Sequence, residues 1–284
     1  VIFKSKMTVA LKERRSETDS QAVRPKSWMA KFDPRDVVLK ILLPVIILIL
    51  LWEVIAQLSV SSLSGIVESF LKLAFEGDSQ GKLLTEHILT SLGHVTLGFL
   101  VAALTAIPLG ISIGRYKVIK SVFGPVVEAM RPIPPIAWIP ISLLLFRDIL
   151  FARIFIIWIG AFFPILINTT AGVNRTNPVH LDVAETFGAT EPEVLIKIII
   201  PSAAPEIFVG FRIGFGIGWM CLIAAEMVNV NAGLGYLVLI MQQSGQTGAM
   251  IASMLLIGLI GFLISYFFMI MEKRLLRWRR EISV

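Results

Sequence analysis

The feature that most constrains this chain is the length of its apolar blocks. A helix rises about 1.5 Å per residue, so about 20 apolar residues cross the roughly 30 Å hydrocarbon core of a bilayer. Six stretches approach that length: 37–58, 88–114, 118–146, 154–172, 203–228 and 249–271. The third is interrupted by Pro125, Pro132, Pro134, Pro135 and Pro140, and the fifth carries Arg212 and Glu226. With 56% hydrophobic and 16% charged residues, the chain lies outside the range of soluble domains, about 45–50% apolar and about 25% charged. The expected fold is therefore an all-α membrane protein with six transmembrane helices, which leaves no room in 284 residues for a large soluble domain.

The Lys and Arg distribution sets the expected topology, because positively charged segments stay on the cytoplasmic side. The N-terminal arm, 1–36, holds nine of them from Lys4 to Arg35, and the C-terminus ends in Lys273, Arg274, Arg277, Arg279 and Arg280. Arg115, Lys117 and Lys120 follow the second span, whereas 229–248 has neither Lys nor Arg. Both termini are then cytoplasmic, 59–87 lies outside, and 37–284 forms the transmembrane domain. The polar arm is too long for a signal-peptide n-region, so the first span is expected to be retained. The net charge of +6 sits largely in segments that flank spans, which points to anionic lipid and not to nucleic acid.

Several chemistries are missing. The nearest approach to a phosphate-binding loop, Gly77-Asp78-Ser79-Gln80-Gly81-Lys82-Leu83, is one residue short between its glycines and has Leu83 where a magnesium-binding hydroxyl belongs. His87, His94 and His180 show no metal-ligand spacing, and the single Cys221 can form neither an internal disulfide nor a Cys-based zinc site. No catalytic residue, metal or cofactor is expected in this chain.

The loop between the fourth and fifth spans, 177–201, carries more information. Asn177-Pro178 is an N-cap followed by proline at the first helical position, and Gly188 is a natural stop, so 178–187 is expected to be a short helix. Thr190-Glu191-Pro192-Glu193 matches a capping box and starts a second helix, expected to be cut at Pro201. This cytoplasmic knob, apolar through Val183, Ala184, Phe187, Val194, Leu195 and Ile198 and acidic at Asp182, Glu185, Glu191 and Glu193, fits two readings. It either docks into a groove on another protein or lies on lipid headgroups.

Asp182-Val183-Ala184, three residues, Gly188, nine residues, Ile198, one residue and Ile200-Pro201 resemble the EAA loop of ABC importer permeases. Asp182 stands for Glu, Val183 for Ala and Ile200 for Leu. The resemblance implies a type I importer permease fold, with a coupling helix at Asp182, Val183, Ala184, Glu185, Gly188, Ile198 and Pro201. It also implies separate ATP-binding subunits that hold ATP and Mg. Arg131-Pro132-Ile133-Pro134-Pro135-Ile136-Ala137-Trp138-Ile139-Pro140, Phe162-Phe163-Pro164-Ile165 with Asn168-Thr169, and Ala224-Ala225-Glu226 resemble permeases for nitrate, bicarbonate, taurine and alkanesulfonates. The likeness runs from about His87 to the C-terminus. A related branch moves thiamine-precursor pyrimidines, so the substrate itself stays open.

Prolines 132, 134, 135 and 140 remove backbone donors within a span, which is tolerated at membrane depth where the backbone is buried or lines a cavity. The third span is thus either a pore wall or a packing kink. The candidate translocation path is Arg131, Pro134, Pro135, Trp138, Asn168, Thr169, Arg212, Trp219 and Glu226. Arg131 suits an anion; Glu226 would repel one, which points to a structural or gating role. Gly210, Gly214 and Gly218 give the fifth span one bare face, either for close packing or for sliding against a neighbour or a symmetry mate. The combined expectation is a permease subunit of an ATP-driven importer for a small anion. It would work as a homodimer with two ATPase subunits and an external binding protein. The rival from another class, a secondary transporter or channel, should show an inverted repeat and more paired intramembrane charges, and the sequence has neither.

Overall fold

The computed structural model describes residues 62–228 and 231–276, together with Leu43, Ile46, Ile47 and Leu50. Two compact units divide the chain, Val1–Ser59 and Val60–Val284. In the first unit, the four described residues are helical and belong to the expected first span. The rest of that span, the 1–36 arm and Arg277, Arg279 and Arg280 lie outside the described residues.

Among its described residues the second unit contains ten α-helices and no strand: α1 (Leu63–Phe75), α2 (Leu84–Arg115), α3 (Lys117–Met130), α4 (Ile139–Leu145), α5 (Ile149–Asn174), α6 (Pro178–Thr186), α7 (Glu191–Val194), α8 (Ile200–Glu226), α9 (Leu234–Gln243) and α10 (Thr247–Leu275). The segments Leu84–Arg115, Ile149–Asn174, Glu191–Glu226 and Thr247–Leu275 are each long and apolar enough to cross a bilayer.

Small residues fix how these rods pack. A Cβ built on Gly98 would meet Ile157, one on Gly110 would meet Thr169, and one on Gly114 would meet Val173. The two numberings climb together, so α2 and α5 run parallel. Gly160 faces Cys221 and Gly172 faces Ala203, so α5 and α8 run antiparallel. Around these approaches closes a core that includes Val95, Phe99, Ile157, Ile165, Phe215 and Leu222. The face of α8 with Gly210, Gly214 and Gly218 lies against α5 of the same chain: a Cβ on Gly214 would sit 2.9 Å from the Ala161 carbonyl oxygen.

Because α2 and α5 are parallel, the chain between them has to cross back. That return is the expected third span, but it is not one helix. α3 is followed by Arg131 to Pro134, a 3-10 turn at Pro135–Trp138 and then α4. Three of its prolines explain the break, since Pro132, Pro134 and Pro135 supply no amide donors, and Pro134, which precedes Pro135, takes extended dihedrals of φ -59° and ψ 129°. The other two do not interrupt it. Pro125 lies inside α3, and Pro140 sits in the first turn of α4, where an N–H has no helical partner to lose. At 14 and 7 residues, α3 and α4 are about 21 and 10 Å long, so neither crosses alone.

Pro201 also departs from expectation. The second loop helix does not stop there; α7 continues through a π-helical segment, Leu195–Ile199, directly into α8. In a regular helix the ring of Pro201 would press on the Lys197 carbonyl. The wider turn, in which the Ile200 N–H donates to the Leu195 carbonyl five residues back, makes room for it. Two further helices, α1 and α9, were not expected. They pack Leu73, Leu237 and Met241 against Leu84 and Ala249, at the end of the bundle opposite the 177–201 loop.

Candidate translocation cleft and coupling loop

A cleft of about 370 Å³ opens between the broken 131–135 segment, α5 and α8. Five isoleucines, Phe163 and the rings of Pro135 and Pro164 form most of its wall. Its polar groups are few. Arg131 is the one formally charged residue among those lining it, and Asn168 brings an amide. Asn168 Nδ2 donates to the Pro164 carbonyl at 2.8 Å, which leaves the side-chain oxygen free of that bond. Because Pro164 has no N–H, the carbonyl of Gly160, also on the wall, loses its helical donor. An apolar cleft with one guanidinium and a few backbone and amide dipoles can orient a small anion without gripping it firmly.

The structure brings Arg131, Pro135 and Asn168 together at this cleft and leaves the other expected path residues off its wall. Pro134 is exposed beside it, and Arg212 is exposed on α8. Trp138 packs edge-on to Phe155, with ring centroids 6.3 Å apart. Thr169 is fully buried against Gly110 because α2 and α5 approach closely there. Trp219 is buried and its Nε1 donates to the Ile257 carbonyl, tying α8 to α10. Glu226 has no exposure at all, since Ser91 and the Gly235 N–H enclose its carboxylate. Glu226 is therefore away from the wall of this cleft. Gly160 and Pro164, by contrast, line the cleft and had not been assigned to it; the one signal in the sequence was a proline four residues after a glycine.

The 177–201 loop is built by local rules. Asn177 Oδ1 accepts from the Val179 N–H at 3.0 Å and Pro178 opens α6. At the other end Gly188 takes φ +73°, the Gly188 N–H donates to the Glu185 carbonyl and the Ala189 N–H to that of Ala184, which is a Schellman cap. The Glu193 carboxylate reaches back to the Thr190 N–H at 3.0 Å and to its hydroxyl at 2.9 Å, while Lys197 Nζ donates to the other oxygen at 2.9 Å. Ala184, Val194 and Ile199 fix the loop to Ile111, Val173, Ala203 and Ile207 of the bundle.

What the loop leaves exposed is equally specific. Phe187, the C-cap of α6, is 85% exposed, and on the helix itself Val183 is 48% exposed and Asp182 and Glu185 are exposed too. Ile198 is half-buried against the bundle, and Pro201 is exposed. Arg115 at the end of α2 makes a two-pronged contact with Glu191, Nε to Oε1 at 2.9 Å and Nη2 to Oε2 at 3.0 Å. Arg175 pairs with Glu206. These two ion pairs link residues 76 and 31 positions apart, and no spacing rule announces them.

Comparison with known proteins places the arrangement. The family described as binding-protein-dependent transport system inner membrane component matches residues 106–281, which include the cleft, the loop and α10. The chain belongs to that family. This permease is 39% identical to MJ0413 of Methanocaldococcus jannaschii over 90% of its own length and 97% of the relative's. It is 32% identical to the taurine transport system permease protein TauC of Escherichia coli, over 77% of its length and 79% of that protein's. Other relatives are named as permease proteins for nitrate import, bicarbonate transport and aliphatic sulfonates transport. The fold agrees with a solved structure of the MetNI methionine ABC transporter in an inward-facing conformation. The TM-score is 0.58 at 18% identity, over 69% of this chain and 96% of that one. The chain is thus the multi-pass membrane component of a transport system, not an enzyme.

Proposed function

We propose that this permease imports a small anion of the nitrate, bicarbonate, taurine or alkanesulfonate kind. On this reading two copies form the pore, and separate ATP-binding subunits hold and hydrolyse ATP with Mg. An external binding protein delivers the anion, and both termini, with the 1–36 arm, face the cytoplasm ahead of a 37–284 permease domain. The relatives' names support the substrate class. The observation that carries the anion is the cleft itself, where Arg131 is the one charge among the described lining residues. The exposed Phe187, Val183, Asp182 and Glu185 supply a docking face for the ATPase, and the continuous helix from Glu191 to Glu226 supplies the lever. Movement of the loop is carried along α8 to the cleft wall at Ile213 and Ile217.

The test is ATPase activity of the chain copurified with its genomic neighbours in nanodiscs, with the binding protein and candidate anions added. Stimulation by one of the four anion types is expected. Arg131→Gln should raise the half-saturating anion concentration about tenfold, the equivalent of one charge-assisted hydrogen bond of about 1.5 kcal/mol. Absence of any copurifying ATPase would overturn the importer reading, and an unchanged anion response in Arg131→Gln would remove the cleft from the path.

A further inference from the structure

At the end of the bundle opposite the coupling loop lies a buried polar network that the cleft does not use. Its centre is Glu226, the last residue of α8. Both carboxylate oxygens accept from the Ser91 hydroxyl of α2 at 2.8 Å, and Oε2 also accepts the Gly235 N–H at 3.0 Å. Ser91 Oγ in turn accepts the Leu234 N–H at 2.9 Å. The turn that carries these amides is shaped around the carboxylate. Gly233 has φ +123°, and a Cβ there would lie 2.4 Å from the Glu226 carboxyl carbon; on Gly235 it would lie 2.3 Å from the Ile223 carbonyl oxygen.

The network extends in both directions. His87 Nδ1 faces both the N–H and the carbonyl of Gly233 at 3.1 Å, and its Nε2 lies 3.3 Å from Asp78 Oδ2. Asp78 Oδ1 accepts the Gln80 and Lys82 amides, closing the turn ahead of α2. Lys82 Nζ reaches the Asn231 carbonyl. On the other side His94 lies 3.6 Å from Glu226 Oε1, and Arg153, in the first turns of α5, lies 3.3 Å from His94. The Glu226 carboxylate at the end of α8 thus joins α2 directly to the start of α9, while the turn before α2 and the start of α5 are tied in through His87 and His94.

A buried carboxylate that loses its donors is strongly destabilised, so a partial opening of this network is disfavoured relative to either extreme. Its donors belong to different elements, so those elements hold together or separate as a set, which is the behaviour of a two-position device. We propose that Glu226 is a positioning residue, the bolt of a latch that keeps this end of the bundle shut and is released as one unit when solute passes. The link to solute passage rests on the transport reading above; the latch itself rests on the network.

The test is hydrogen–deuterium exchange on the complete complex in nanodiscs, without nucleotide and with ATP plus vanadate. ATP hydrolysis is read on the same preparations without binding protein or solute. In the wild type the Leu234 and Gly235 amides should exchange slowly without nucleotide and about tenfold faster or more in the trapped state. In Glu226→Gln, which keeps the shape and removes the charge, they should exchange fast in both states, with basal ATP hydrolysis raised severalfold. A residue that only stabilised the fold would lower activity with assembly instead. Should the Gln variant fail to assemble, Ser91→Ala removes the bridging hydroxyl at little steric cost and should give the same pattern. Equal protection of both amides in both nucleotide states overturns the latch, as does a Ser91→Ala complex indistinguishable from wild type in exchange and basal hydrolysis. A wild-type complex with no ATPase would overturn the importer reading, and the exchange difference between wild type and Ser91→Ala would still decide the latch.

Discussion

The two ends of the bundle handle charge in opposite ways. At the coupling end the ionic groups are partly exposed: Arg115 with Glu191, Lys197 with Glu193, Arg175 with Glu206. Solvent screens such pairs, and water replaces them at little cost. At the far end Asp78, His87, Ser91 and Glu226 are all buried, and each has a specific neighbour. The first arrangement suits a surface that a partner can reshape; the second suits a closure that moves as a unit or not at all.

The sharpest way to break this contrast is to add a methyl group at the far end. Gly235→Ala places a Cβ 2.3 Å from a backbone oxygen and forces the Glu226 network apart. Overpacking costs about 1–3 kcal/mol and can exceed that where backbone has to move, so the expected result is loss of assembled complex or a large drop in melting temperature on a thermal shift assay. Close behind comes Gly214→Leu in the middle of the bundle, where the α8 face meets Ala161 and Ile165 of α5. Its expected outcome is again loss of assembly by size-exclusion chromatography; an assembled but transport-dead complex would instead mark this face as a sliding surface.

At the coupling end the same kind of surgery should leave the fold standing. Gly188→Pro is incompatible with φ +73° and unwinds the cap of α6, and Asp182→Arg reverses an exposed charge. Both are expected to keep the melting temperature within a few degrees while uptake per ATP hydrolysed falls about tenfold, a loss of about 1.4 kcal/mol of coupling. Unchanged uptake in both would remove the loop as the coupling element. Smallest of all is Arg115→Ala, which removes a half-exposed pair and should cost less than about 1 kcal/mol in chemical denaturation. A larger loss would show that the coupling end is as tightly locked as the far end and would erase the contrast.

How much of this was legible in the sequence follows the range of the interactions. Asn177, Pro178, Gly188 and the Thr190–Glu193 box act over four residues or fewer, and the helices they bound appear where expected. Prolines gave a mixed reading. Pro132, Pro134 and Pro135 broke the third span because they act in series, whereas Pro125 and Pro140 did not, and Pro201 was absorbed by a π-turn. A proline reports only a missing donor and a ring; whether the chain bends, widens or tolerates it depends on what packs beside it.

By itself the sequence located the four described helices that are long and apolar enough to cross a bilayer, the starts of the two helices in the 177–201 knob, and the motifs that carry the family resemblance. The helices follow from hydrophobicity over a helix length and the knob from caps a few residues wide; the resemblance comes from motif spacing. Only the tertiary structure decided which polar residues share a space. It put Arg131 and Asn168 on one cleft and withdrew Trp219 and Thr169 into packing. It also joined Glu226 to Ser91 across 135 positions. The physical reason is that a buried charge selects its partners by distance in space, and in a bundle that distance is set by where glycines let one helix approach another.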